Sequence, residues 1–304
     1  MGDGTQPQQL RVVQNHTLDS TRWRDFPFRA GDIVISSWAK TGTTWLQQIV
    51  GQLIFGPSDL RLGDVSPWID NRLYSRKQLY RRLNLQTHRR FVKTHLPADA
   101  LPLSPGARYL YIARDGRDVA WSWYHHHRNL TPGVYEITNS LGGRVGPPLE
   151  PPIEPFEAFF ENWLAQDGFP LWPFWSHVSS WWEAQEHANV MLVHYSDLKA
   201  DVPGQIQRIA DFLGIACDPE KRDEVVLRSS FEYMKKNATE ILSSFQTAMS
   251  GGAATFLRGG TGGGWRESLS AESVARYEAE ARRHLPEKCL RWLEGGTLRP
   301  LGCL

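Results

Sequence analysis

The strongest constraint on the fold is one junction near the start of the chain. Ile33-Val34-Ile35 is a short, β-branched apolar run behind the turn residues Gly31-Asp32, as a strand buried on both faces should be. It ends in the loop Ser36 to Gly42, and from Thr43 onward Trp45, Leu46, Ile49, Val50 and Leu53 recur at helical spacing. Such a loop aims the backbone N–H groups and the dipole of a helix N-terminus at one spot, which favours an anion. Gly42 permits close backbone approach, Thr41, Thr43 and Thr44 offer hydroxyl donors, and Lys40 offers a mobile point charge. On this segment alone an ordinary capped helix with a solvated lysine remains an alternative. A Walker A loop it is not, because that motif ends Gly-Lys-Ser/Thr and here Lys40 comes two residues before the glycine.

Further short strands read at Arg90 to Lys93, Tyr109 to Ala113 and Val190 to Val193. Asp115-Gly-Arg-Asp118 has the form of a capping box, with Asp115 as N-cap and Asp118 at N3, opening a helix that carries Ser122 and His125 to His127. Helical patterns return at Pro155 to Leu164, Phe174 to Glu186, Pro203 to Leu213 and Ala271 to Leu285. Alternating strands and helices predict an α/β class, a mostly parallel sheet flanked by helices. One domain over 1–304 is expected, with a flexible N-terminal segment at 1–22 and long loops at 131–155 and 237–264, lengths typical of lids or binding loops.

Composition narrows the partners. Lys plus Arg (34) nearly balances Asp plus Glu (33), so no global field draws the chain to nucleic acid or an anionic membrane, and an anion site must be built locally. The longest apolar stretches, such as Ile49 to Phe55, fall far short of the roughly 20 residues that span a bilayer. The first thirty residues hold no signal-peptide core. Cys217, Cys289 and Cys303 are distant and odd in number, which suits a reducing compartment and a cytoplasmic location. Thirteen tryptophans are enough to fill a core and also line a pocket for a flat apolar ligand.

Lys40-Thr-Gly-Thr-Thr-Trp45 resembles the 5′-phosphosulfate loop of the cytosolic sulfotransferases, usually Lys-Ser-Gly-Thr-Thr-Trp. Four further blocks follow in the family's order: Phe91-Val-Lys93-Thr-His95-Leu-Pro97, Tyr111 to Ser122, His194-Tyr195-Ser-Asp197-Leu-Lys199, and Ser229-Ser230-Phe231-Glu-Tyr-Met234-Lys. Phe256-Leu-Arg258-Gly-Gly260-Thr-Gly-Gly-Gly-Trp265 completes the set, so the resemblance runs from Trp23 to about Trp265. It implies a P-loop-like phosphosulfate-binding loop and transfer of a sulfuryl group from 3′-phosphoadenosine 5′-phosphosulfate (PAPS) to a hydroxyl or amine, with PAP as product and no metal required.

The resemblance assigns roles residue by residue. The loop Lys40 to Trp45 would take the 5′ end. Arg114 and Ser122, with Arg258, Gly259 and Gly260, would take the 3′-phosphate, for which a guanidinium fork is suited. Gly259 stands where the family has lysine. Trp45 and Phe231 match the adenine-stacking positions, Tyr195 and Ser229 those that bond the base, and Met234, Phe256 and Leu257 complete the nucleotide site. His95 is the expected general base, since imidazole titrates near neutral pH. Lys40 and Lys93 would stabilise charge on the phosphosulfate, and Ser122 would hold Lys40 until an acceptor arrives.

The acceptor is expected to be a small, largely apolar molecule beside His95, walled by Phe26, Phe28, Pro67, Trp68, Trp123, His126 and residues of the two long loops. The three consecutive histidines point in different directions on a helix and make a poor metal site, so at most one or two should face the acceptor. Two other readings stay open: a nucleotide-dependent kinase, with Asp115 imitating a Walker B aspartate, and a non-catalytic nucleotide or lipid binder, which would not need His95. The family's dimer motif, Lys-x-x-x-Thr-Val-x-Glu, is absent at Arg266 to Ser273, and the oligomeric state is left open.

Overall fold

A computed structural model of the chain describes residues 10–142, 145–171, 173–260 and 262–297. Four strands, β1 (Ile33–Ser36), β2 (Phe91–Thr94), β3 (Arg108–Ala113) and β4 (Val190–His194), form one all-parallel sheet in the order β2-β1-β3-β4. The register pairs Val34 with Val92 and with Tyr109, and Tyr111 with Leu192. Parallel neighbours need crossovers, and helices supply them on both faces.

Side chains alternate across the sheet and separate two unlike cores. Val34, Val92, Tyr109, Tyr111 and Leu192 face a core rich in aromatic rings, including Trp38, Trp163, Trp181 and Trp292. Ile33, Ile35, Leu110, Ile112 and Val193 face an aliphatic core with Leu46, Ile49, Ile206 and Ile209. The tryptophans thus fill mainly one layer. Helix Thr43–Phe55 packs on the aliphatic side and helices Phe156–Ala165 and Phe174–Ala184 on the aromatic side.

The predicted helices lie where expected, at Phe156–Ala165, Phe174–Ala184, Val202–Leu213 and Ala271–His284. Helices at Arg76–Leu85, Pro219–Arg228 and Glu287–Gly295 add to them. Three expectations are corrected. Residues 10–22 are packed: Leu18 is fully buried, and residue 19 caps the 3-10 turn Ser20–Trp23 through the Asp19 carboxylate; residues 1–9 lie outside the described residues. The segment 131–155 contains helix Pro132–Ser140, started by a proline in its first turn, where the missing N–H costs nothing. The segment 237–264 contains the short helices Ala238–Ile241, Ser243–Phe245 and Ala253–Phe256, whose apolar residues close a third core with Met234 and Leu60. Among the described residues no helix is long and apolar enough to cross a membrane.

Candidate functional site

The carboxyl ends of β1, β2 and β3 open into one cavity of about 1080 Å³, the usual place for a ligand in a parallel sheet. After β1 the chain turns through Lys40, whose φ of 68° is left-handed, and Gly42, whose φ is 109°. A Cβ on Gly42 would lie 3.0 Å from both Ile112 Cδ1 and Tyr195 Cδ2, so only glycine lets the loop sit this low. Lys40 pays for its left-handed backbone with strain of the kind kept at functional sites. The loop then delivers Thr43, Thr44 and Trp45 on the first turn of the helix, and all three line the cavity.

Thr41 differs from expectation. Its hydroxyl turns inward to the carbonyls of Trp38 and Ile112, both at 2.9 Å, and Thr41 is buried and does not line the cavity. Thr43 Oγ1 bonds Ser37 Oγ, and Ser37 also meets His95, so the loop and the histidine share one network.

Among the described residues six Lys and Arg side chains line the cavity, and four of them, Lys40, Lys93, Arg114 and Arg258, form a cluster around Lys40, while Arg82 and Lys199 stand apart from it. Burial pushes Lys40 down to about 7, and Lys93, Arg114 and Arg258 push it the same way. Its ammonium lies 3.9 Å from the Phe256 ring centroid, not on Ser122, which lines the cavity nearby. Burial lowers Lys93 to about 8, against an opposing pull from Asp70. The Arg114 guanidinium sits 4.3 Å over the Tyr195 ring and 3.5 Å from Asp118 Oδ2.

Asp118 joins this group through Arg114. Read as N3 of a capping box, it instead accepts from Gly263 N–H at 2.7 Å and so ties Arg114 to the glycine-rich segment. The N-cap itself is as read, with Asp115 accepting from Arg117 N–H. Tyr195 donates to Gly260 O at 3.3 Å, and a Cβ on Gly260 would come within 2.9 Å of the Phe231 ring. Trp45, Tyr195, Ser229, Phe231 and Met234 gather along this end, as do Leu257 and Gly259. The Ser229 hydroxyl donates to its own helix at Val225 O, 2.6 Å, so it faces the chain and not a base.

The other end is different in kind. Trp68, His95, Trp123 and His126 line it beside Pro67, while Phe26 and Phe28 do not. Those two rings pack against each other at 4.7 Å and against Trp23, under the guanidinium of Arg90, which is paired with buried Asp32. Their hydrophobicity went to core packing, a correction to the predicted acceptor wall. The cavity is also lined by Leu130, Val134, Leu149, Leu171, Phe245, His127 and His16, of which Val134 and Leu149 lie on the segment 131–155 and Phe245 on 237–264. Helical directions separate the three histidines: His126 and His127 line the cavity, whereas His125 stacks edge-on to Trp121 at 4.3 Å. Burial pushes His125 to about 4, His127 to about 3 and His126 well below the ordinary value, so all three are neutral.

His95 is held from behind. Its Nδ1 lies 2.8 Å from Ser37 O, so Nδ1 carries the proton and Nε2 the lone pair. Burial and the Lys93 charge hold the ring well below the ordinary histidine value, with the Ser37 carbonyl opposing. A neutral imidazole with an oriented acceptor nitrogen, facing a cavity with two lysines, can take a proton from a bound hydroxyl.

Fold and cavity define a P-loop-like α/β transferase site, with an anion end and an apolar end bridged by a histidine. More specifically, the chain belongs to the sulfotransferase family: the sulfotransferase domain matches residues 30–288. It is 29% identical to a glycolipid sulfotransferase of Mycobacterium bovis over 95% of this chain and 96% of that one. It is also 29% identical to mouse sulfotransferase 1B1, over 90% and 89% respectively. The fold is similar to that of retinol dehydratase solved with androsterone and the inactive cofactor PAP, with 25% identity, a TM-score of 0.70, and coverage of 93% of this chain and 88% of that one. A fold likeness extends to mouse sulfotransferase SULT7A1 complexed with PAP, with 23% identity, a TM-score of 0.70, and coverage of 89% and 92%.

Proposed function

We propose that this protein transfers the sulfuryl group of PAPS to a hydroxyl or amine of a small, largely apolar acceptor and releases PAP. The observation that carries the reading is the cation cluster. Lys40, Lys93, Arg114 and Arg258 repel one another inside a common cavity, and a multiply charged anion relieves that repulsion. The fit to a nucleotide with phosphate at both ends follows from placement. The low loop at Gly42 suits the 5′ end, while Arg114 and Arg258, with Ser122, suit the 3′-phosphate. Gly259 offers no charge there, so two arginines carry that contact.

When bound, PAPS supplies the sulfuryl group. Trp45 and Phe231, which line the cavity, would enclose the base, and Tyr195 would border it. His95 Nε2 takes the acceptor proton as the new bond to sulfur forms and the bridging bond breaks. Lys40 leaves the Phe256 ring to meet the charge that develops on the departing phosphate oxygen, and Lys93 faces the sulfuryl oxygens. A loose, in-line transfer asks for this positioning and charge stabilisation more than for covalent chemistry. Trp68, Trp123, Leu149 and Leu171 hold an apolar acceptor by burial. Cytoplasmic operation is part of the same reading, supported by the free thiols of Cys217 and buried Cys289; Cys303 lies outside the described residues.

The test is a product screen. The protein is incubated with PAPS, or with ATP and Mg²⁺, together with phenolic and aliphatic alcohols and amines. Sulfated product and PAP from PAPS alone are expected. Phosphorylated product from ATP would establish a kinase, and PAPS binding without product from any acceptor would leave a nucleotide binder.

A further inference from the structure

The acceptor end rests on a carboxylate that the reaction above does not use. Asp70 is fully buried, on a segment that runs parallel to β2 through the Trp68–Lys93 bridge and the 3.0 Å bond from Ile69 N–H to Lys93 O. Its Oδ2 accepts from Trp68 Nε1 at 2.8 Å and from the His95 backbone N–H at 3.2 Å, and its Oδ1 accepts from Trp23 Nε1 at 3.3 Å. The Thr94 side chain bonds it as well. Burial pushes the Asp70 carboxyl above the ordinary carboxylate value, and the three N–H donors and the hydroxyl pull the other way, toward the ionised form that only accepts. A buried anion is costly unless it is hydrogen-bonded and set against a positive charge. The neighbouring cation is Lys93, whose ammonium lies 4.5 Å over the same Trp68 ring that Asp70 holds. That ring in turn stands edge-on to the His95 imidazole, 4.8 Å between centroids.

We propose that Asp70 is the positioning residue of the acceptor end: from outside the cavity, its carboxylate fixes the Trp68 ring and the His95 backbone and supplies the negative charge against which Lys93 is held. A single side chain thereby sets the base, one acceptor wall and one of the two lysines at the sulfuryl group. The charged and titratable groups that act on this pair are Arg22 toward Asp70, and His95, Lys40 and His126 toward Lys93. None of them is a second carboxylate, so removal of the Asp70 charge is not compensated locally. Asp70 raises the Lys93 value against the lowering by burial, so its loss moves Lys93 deprotonation to lower pH.

The inference rests on the sulfuryl-transfer reading, and its test has one arm that does not. In protein labelled with ¹³C-lysine, the Lys93 titration midpoint is followed by NMR in wild type, Asp70→Asn and Asp70→Glu. Asp70→Asn should lower the midpoint and Asp70→Glu should return it toward wild type. An unchanged midpoint in Asp70→Asn overturns the proposal. In the activity arm, Asp70→Asn should lose roughly tenfold to a hundredfold in turnover, the scale of a small misplacement of reacting groups, with PAP affinity kept. Equal losses of turnover and PAP affinity would reduce Asp70 to a folding residue and overturn the proposal. If Asp70→Asn does not fold, Trp23→Phe removes one donor to the carboxylate without touching the cavity. It should then lower turnover with PAP affinity intact, and normal turnover in that variant counts against the proposal. A wild type that turns over no acceptor with PAPS sinks the sulfuryl-transfer reading, while the Lys93 midpoint still decides the role of Asp70.

Discussion

The two ends of the cavity are built from different materials. The end proposed for the nucleotide is made of short contiguous motifs: one loop from Trp38 to Trp45, one strand end and helix start from Arg114 to Ser122, the strand end at Tyr195, the turn from Ser229 to Met234, and one glycine-rich segment after Phe256. Left-handed backbone at Gly42 and Gly260 shapes it. The acceptor end collects single side chains from distant places, among them Trp68, His95, Trp123, Val134, Leu149 and Leu171. Anion binding by a loop requires a fixed local geometry, which leaves a local spelling. An apolar wall requires only volume and hydrophobicity, which many residues supply. His95 stands between the two, tied to the loop through Ser37 and to the acceptor wall through Asp70.

The sharpest way to separate the ends is His95→Asn, which keeps size and polarity but cannot act as a base at neutral pH. Turnover should fall by roughly a hundredfold to ten-thousandfold while PAP affinity, measured by calorimetry, stays as in wild type. Normal turnover with a weakly acidic alcohol would return His95 to a structural role. Lys40→Ala should break the comparison from the other side. It touches both the loop and the transferred group, so nucleotide affinity and turnover should fall together, each by roughly tenfold or more for a lost charge-assisted contact.

A smaller effect concerns protons. Lys40 titrates at about 7 in the free protein, and bound anionic nucleotide favours its charged form, so its value rises on binding. Affinity for PAP should therefore be full below pH 7 and decline as the pH rises above it, by at most about tenfold per unit from this group. Calorimetry at pH 8 in buffers of different ionisation enthalpy should detect proton uptake on binding, and Lys40→Ala should abolish that part. Proton release would contradict the assignment. The smallest expected effect is at Phe28→Ala: the ring belongs to the packing around Trp23 and Arg90, so the acceptor KM should not change.

The sequence made the fold and the nucleotide end legible for the same reason. Buried parallel strands such as Ile33–Ser36 are unbroken β-branched runs, and the helix N-terminus after Gly42 announces itself by spacing. What escaped was decided by tertiary contact. Thr41 looked like a ligand donor, but its hydroxyl found two backbone carbonyls first. Asp118 looked like half of a capping box, but its side chain meets Gly263, 145 residues away, and Arg114, at the end of β3 before the helix begins. Phe26 and Phe28 have the composition of a pocket and the position of a core. Leu149 and Leu171 carry no local signal at all, since a leucine in a cavity wall is spelled like any other.

The central claim is that this cavity is built for a nucleotide phosphorylated at both ends, with Arg114 and Arg258 devoted to the second phosphate. Its most direct test is calorimetric titration of the protein with PAP and with AMP, without added metal. PAP should bind more tightly than AMP by roughly a hundredfold, the scale of one or two charge-assisted contacts, and Arg114→Ala should narrow the gap. Equal affinities for PAP and AMP in the wild-type protein would contradict the account.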